Sequence, residues 1–108
     1  MKFSINNKVF NNIATSSNKF STNNISFMYN KLDNLCLGFI IPKSLGAAHK
    51  RNKFKRRCRA KLESLSKNSN FPSIGIVVKP KVIDLTFGDI EKSFNKLEDN
   101  VINKYHNN

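Results

Sequence analysis

The 108 residues carry 19 Lys and Arg against 7 Asp and Glu, a formal charge of +12, which points to a nucleic acid or another polyanion as partner. The length suits one domain, residues 1–108, with a modest single core. A membrane span is excluded, because the longest apolar run, Leu35 to Ile41, has seven residues where about twenty are needed.

Met1-Lys-Phe-Ser-Ile-Asn-Asn has no apolar stretch of the secretory kind behind its positive start, so the chain is expected in the cytoplasm. Cys36 and Cys58 have no CxxC spacing and read as small buried hydrophobes. His49 and His106 add no metal-ligand pattern, and no acids pair near His or Cys, so the protein itself shows no catalytic group and no metal site.

The first predicted element is a short amphipathic helix from Ser4 to about Ala14, with Ser4 as cap and Ile5, Val9, Phe10 and Ile13 as its apolar stripe. Thr15 to Asn24 is rich in Ser, Thr and Asn and reads as a loop, with Phe20 an unusual member that could lie across a sheet. Ile25, Phe27 and Tyr29 alternate with Ser26, Met28 and Asn30, the pattern of a half-buried strand. Lys31 to Asn34 is the turn after it. Leu35 to Ile41 is apolar at both parities and is expected as a central strand covered on two faces, stopped at Pro42. A further short strand fits near Lys43 to Leu45, and Gly46 suggests an unusual backbone conformation.

Ala48 to Lys61 is the most distinctive stretch: eight of its fourteen residues are Lys or Arg, with no acid between Lys43 and Leu62. At helical spacing Ala47, Arg51, Phe54, Cys58, Leu62 and Leu65 make one mostly apolar stripe. Lys50, Lys53, Lys55, Arg56, Arg57 and Arg59 are left to splay over the remaining arc, with Asn52 beside Arg56 and Arg59. So many like charges repel at i,i+4 unless an external polyanion pairs with them. Arg51, on the apolar stripe, suggests a partly buried guanidinium bonded to backbone or pointing along the sheet edge.

The helix should fade between Ser64 and Asn70. Ile74, Ile76, Val77 and Val78 form another buried strand ended by Pro80. Thr86 and Asp89 form a cap for a last helix, with Leu85 stapled on Ile90 and an inner stripe of Ile90, Phe94, Leu97 and Val101, fraying after Asn103. The order α, β, β, α, β, α implies three helices packed on a small sheet of three or four strands.

Gly46-Ala-Ala-His-Lys-Arg-Asn-Lys-Phe-Lys-Arg-Arg-Cys-Arg59 resembles the protein subunit of bacterial ribonuclease P, whose signature is Arg-Asn-x-x-Lys-Arg-x-x-Arg on a helix. Arg51, Asn52, Lys55, Arg56 and Arg59 fill its five polar positions. Gly38 to Lys43, Ile76 to Pro80 and the cap at Thr86 fall at similar distances. Ser44, Pro42, Cys36, Ala60 and Asn6 depart from the pattern, Asn6 standing where an aromatic is usual.

The resemblance implies an α/β (α+β) two-layer sandwich: a small mixed sheet of about four strands, three helices and a left-handed βαβ crossover, where pattern alone predicts a right-handed one. It implies binding to the catalytic ribonuclease P RNA, one protein per RNA subunit, and to the 5′ leader of precursor tRNA during its endonucleolytic removal. Mg²⁺ would be held mainly by the RNA. The RNA-binding set is then Lys43, Lys50, Arg51, Asn52, Lys53, Lys55, Arg56, Arg57 and Arg59, with Phe10, Phe20 and Tyr29 lining a leader groove. Two other readings share the composition: a structural ribosomal-type RNA-binding protein, and a DNA-binding helix-turn-helix, which lacks a helix just before Gly46.

Overall fold

The computed structural model describes residues 3–16 and 18–106. Three helices, α1 (Asn7–Ala14), α2 (Ala48–Ser66) and α3 (Phe87–His106), pack on a sheet of β1 (Lys19–Ser21), β2 (Ile25–Lys31), β3 (Cys36–Phe39) and β4 (Ile74–Pro80). The strand order is β1-β2-β4-β3. β1 and β4 each run antiparallel to β2, while β3 and β4 are parallel and joined through α2, so the sheet is mixed.

Strand periodicity sorts the core. Ile25, Phe27 and Tyr29 of β2, Leu37 of β3 and Ile74, Ile76 and Val78 of β4 are buried with Phe54, Cys58, Leu62 and Leu65 of α2 and Ile90, Phe94, Leu97 and Val101 of α3. The opposite parity, Cys36 and Val77, packs with Ile13 of α1, flanked by Val9, Phe10, Met28 and Ile40. One face of the sheet therefore carries α2 and α3, and the other carries α1.

α1 reaches its face because two strand positions lack side chains. A Cβ at Gly75 would collide with Ile13 and Leu32, and a Cβ at Gly38 would stand 2.7 Å from the Phe10 ring. The helix begins two to three residues later than its apolar pattern suggests, because Asn6 caps it: Asn6 Oδ1 accepts from the Val9 amide at 2.9 Å. The residue that breaks the aromatic pattern thus fixes where the helix starts.

Four expectations are corrected. Lys19–Ser21 is a strand, not a loop, with Phe20 paired opposite Phe27 and its ring 6.4 Å from that neighbour's. Lys43–Leu45 is a single 3-10 turn rather than a strand. β3 lies at the edge of the sheet, and its double-sided apolar pattern comes from α1 on one face and α2 with α3 on the other. Gly46 has extended backbone (φ 160°, ψ 175°), and its lack of a side chain makes room for Ile83, 2.9 Å from where a Cβ would be.

The C-terminal helix follows its sequence signals. The Thr86 amide donates to Asp89 Oδ2 at 3.1 Å and the Asp89 amide to Thr86 Oγ1 at 3.0 Å, the reciprocal box. α3 stays helical to His106, beyond the expected fraying at Asn103, and Tyr105 packs edge-on to Tyr29 at 6.2 Å. No helix among the described residues is long and apolar enough to cross a membrane.

Candidate nucleic-acid interface

α2 owes its position to Phe54, Cys58, Leu62 and Leu65, which are buried and recur every three or four residues. Those contacts fix the rotation of the helix and so divide its cations between two flanks. Lys55 and Arg59, spaced i and i+4, lie on the flank beside Phe39 of β3, with Asn52 and Arg56 exposed on the outer face next to it. Lys50, Lys53, Arg57 and Lys61 share the other, turned toward the β4–α3 connection and α3.

The two flanks differ in what they touch. On the α3 side, Lys50 Nζ pairs with Asp84 Oδ1 at 3.2 Å and an Arg57 Nη donates to the Leu85 carbonyl at 3.0 Å. Lys61 is buried, its Nζ 3.9 Å from Glu91 Oε2. On the outer face, Asn52 and Arg56 are exposed and have no hydrogen-bond or ion-pair partner among the described residues. Arg51 lies between: its Nε donates to the Gly46 carbonyl at 3.2 Å, the backbone bond that its place on the apolar stripe suggests. Lys43 is exposed on the 3-10 turn ahead of the helix.

Lys55 and Arg59 converge on one ring. The Lys55 ammonium lies 6.0 Å and the Arg59 guanidinium carbon 5.5 Å from the centroid of Phe39, within reach of its π face. Phe39 is itself held edge-on to Phe54 at 6.3 Å. Between α1 and α2, across β3, opens a cleft of about 340 Å³ whose lining includes Phe10, Gly38, Phe39, Lys55 and Arg59. It offers aromatic surface for stacking and cations for phosphates in one place. No acid of the described chain lines it.

The three aromatics expected to line a groove do not share a surface. Phe10 does lie in this cleft. Phe20 sits on the α3 face of the sheet with Phe27. Tyr29 is 3% exposed on that same face, and its hydroxyl donates to Asn100 Oδ1 at 2.8 Å. Burial pushes the Tyr29 phenol above its usual range, with Tyr105 adding to the effect. The strand period explains the error: Phe27 and Tyr29 share one parity, so a residue that looks half-buried faces α3. Phe39, inside the stretch expected to be covered on two faces, is half-buried beside the signature cations, at the last position of β3.

Both thiols are buried and free. Burial raises Cys58 far above the ordinary thiol value, only slightly offset by the Arg59 charge, and raises Cys36 as well.

A flank carrying Lys55, Arg56 and Arg59 and adjoining an aromatic cleft defines a nucleic-acid-binding α+β protein. The family model described as Ribonuclease P matches residues 5–101. The chain belongs to the ribonuclease P protein family, and its partner is accordingly an RNA. It is similar to the ribonuclease P protein component of Fusobacterium nucleatum, with 37% identity over 98 residues, 84% of this chain and 88% of that one. Solved structures of the same fold include the Staphylococcus aureus RNase P protein (TM-score 0.76, 22% identity, covering 91% of this chain and 93% of that one). The Thermotoga maritima RNase P protein is similar too (TM-score 0.69, 21% identity, 84% and 89%).

Proposed function

We propose that the chain works as the protein subunit of ribonuclease P by gripping the catalytic RNA through α2 and the 5′ leader of precursor tRNA through the cleft between α1 and α2. The observation that carries this is the convergence of Lys55 and Arg59 on Phe39, 6.0 and 5.5 Å from its centroid, at a cleft that also holds Phe10. Arg56 and Arg59 suit phosphate oxygens as planar forks, Lys55 acts as a point charge, and Asn52 both donates and accepts at a base edge or sugar hydroxyl. In the cleft, an unpaired base stacks on Phe10 or Phe39 whatever its sequence, as a variable leader requires.

The same reading assigns the cutting of the phosphodiester bond to the RNA, with Mg²⁺ as its metal, one protein per RNA and a cytoplasmic setting. Among the described residues no three His, Cys, Asp or Glu side chains come together. What it supplies is positive charge and stacking surface beside the RNA.

The test is reconstitution with a bacterial ribonuclease P RNA and an assay of leader removal at low magnesium. Stimulation over the RNA alone is expected. Binding to ribosomal RNA with no stimulation would instead support a structural ribosomal-type protein.

A further inference from the structure

α1 is eight residues long and fully buries one of them, Ile13. At helical spacing Phe10 and Asn12 project on either side of Ile13. The three side chains meet three successive strands of the sheet. Phe10 lies against Gly38 of β3, Ile13 lies against Gly75 of β4, and Asn12 reaches β2, where Asn30 Nδ2 donates to its Oδ1 at 3.0 Å.

From Asn30 the bonds continue as a chain with one direction. Asn30 Oδ1 accepts from the Ser16 hydroxyl at 2.8 Å and from Asn18 Nδ2 at 3.1 Å, and Asn18 Oδ1 accepts from Lys104 Nζ of α3 at 2.8 Å. An ammonium only donates, so Lys104 fixes which way the Asn18 amide faces, Asn18 fixes Asn30, and Asn30 fixes Asn12.

We propose that Asn12 and Asn30 are positioning residues for the leader: their bond sets the roll of α1 about Ile13 and so holds Phe10 at the wall of the cleft. The inference rests on the proposed function and makes its cleft depend on residues outside it.

Geometry carries the argument. Asn12, Ser16, Asn18 and Asn30 do not line the cleft, so they act on it through α1. A helix this short takes its place from its attachments rather than from its own stability. The apolar contacts of Ile13 and Phe10 are non-directional and tolerate rotation, whereas an amide–amide bond weakens steeply with angle. Asn12 and Phe10 stand on opposite flanks of the helix, so releasing the first lets the second swing across Gly38. Ser16 also lies 3.1 Å from the Tyr29 carbonyl, which keeps its buried hydroxyl paired when Asn30 is replaced.

Two measurements test the proposal. The first is the NMR shift of the Gly38 α-protons, which the ring current of Phe10 displaces because the ring lies against that residue. Asn12→Ala removes the acceptor for Asn30 at an exposed helical position that favours alanine, so the fold is kept. The Gly38 signals should move toward ordinary glycine values in Asn12→Ala and stay in place in Asn12→Asp, whose carboxylate still accepts from Asn30. Signals unmoved in Asn12→Ala, or moved alike in both variants, would overturn the proposal.

The second is leader removal by the holoenzyme reconstituted with a ribonuclease P RNA. For Asn12→Ala and for Asn30→Leu, KM for precursor tRNA should rise about tenfold, the worth of one stacked base, with kcat kept. Affinities for mature tRNA and for the RNA subunit should not change, and Asn12→Asp should behave as the natural chain. A KM that rises for Asn30→Leu alone means that Asn30 meets the leader itself and overturns the positioning role, as does equal loss for the two tRNAs. If the unaltered chain does not stimulate leader removal, it is the proposed function that fails, while the Gly38 signals still decide what seats α1.

Discussion

The Arg59 guanidinium carbon stands 5.5 Å from the centre of the Phe39 ring, on the cleft side of α2. Arg59 thereby has its long side chain held before any RNA arrives. The ring attracts the cation at an exposed site by about 0.5–1 kcal/mol, enough to restrict the side chain and too little to compete with a phosphate. The sequence signature and an aromatic outside it therefore act as one device.

Removing the ring should separate grip from leader recognition. Phe39→Leu keeps apolar contact with Phe54 and should hold Tm within a few degrees, while precursor-tRNA affinity falls by the loss of stacking, about 1–3 kcal/mol per base. Mature-tRNA affinity should change little. Titrating the holoenzyme with both tRNAs checks this, and equal loss for the two would remove Phe39 from the leader site.

Removing a fork should act on all substrates alike. Arg56→Ala deletes an exposed cation with no partner among the described residues, so the fold keeps its stability. Affinity for the ribonuclease P RNA should drop, and the salt slope should fall by about one. Binding measured across a series of salt concentrations reads both.

Tyr29 should matter to folding alone. Tyr29→Phe loses the 2.8 Å bond to Asn100 and keeps the ring in the core. Stability should fall by about 0.5–1.5 kcal/mol, measured by urea unfolding, with the precursor-to-mature preference unchanged. A changed preference would return Tyr29 to the leader groove.

The seat of α1 is open to a packing test. Gly75→Ala puts a methyl where Ile13 and Leu32 already sit and should cost about 1–3 kcal/mol. Adding Ile13→Val should recover part of that loss, because Ile13 is the nearest obstacle. A double-mutant cycle measures the coupling, and strict additivity would mean that α1 moves aside.

Alkaline pH should unfold the protein through its thiols. Cys58 is held well above the ordinary value of 9.0, so the folded state keeps a proton that the unfolded state releases. The resulting stability is complete below pH 9 and declines as pH rises beyond it. Denaturant midpoints from pH 7 to 10.5 should fall more for the natural chain than for Cys58→Ala, once that variant's lower starting stability is subtracted. At pH 8, iodoacetamide should leave Cys58 unmodified until denaturant is added.

How much of this was legible depended on how many residues voted for each feature. α2 and α3 each repeat an apolar stripe over several turns, and Thr86 with Asp89 marks a start, so both helices could be read directly. β1 has three residues and a single apolar one, Phe20, too few for alternation to register. β3 shows the limit of inferring place from pattern: residues apolar at both parities report two covered faces, which an edge strand has when helices lie above and below it. The signature cations were plain, but their division between two flanks was not. Arg57 and Lys61 look in sequence like Arg56, and only the β4–α3 connection and Glu91 set them apart. The aromatic set failed for a related reason, since parity tells which residues share a face but not which face is open.

The stripe that seats α2 has a mechanical consequence. Phe54, Cys58, Leu62 and Leu65 belong to the same cluster as the inner residues of α3 and β4. A load applied where the helix meets its RNA is thus carried into the centre of the molecule, and the anchor yields only when the whole protein does.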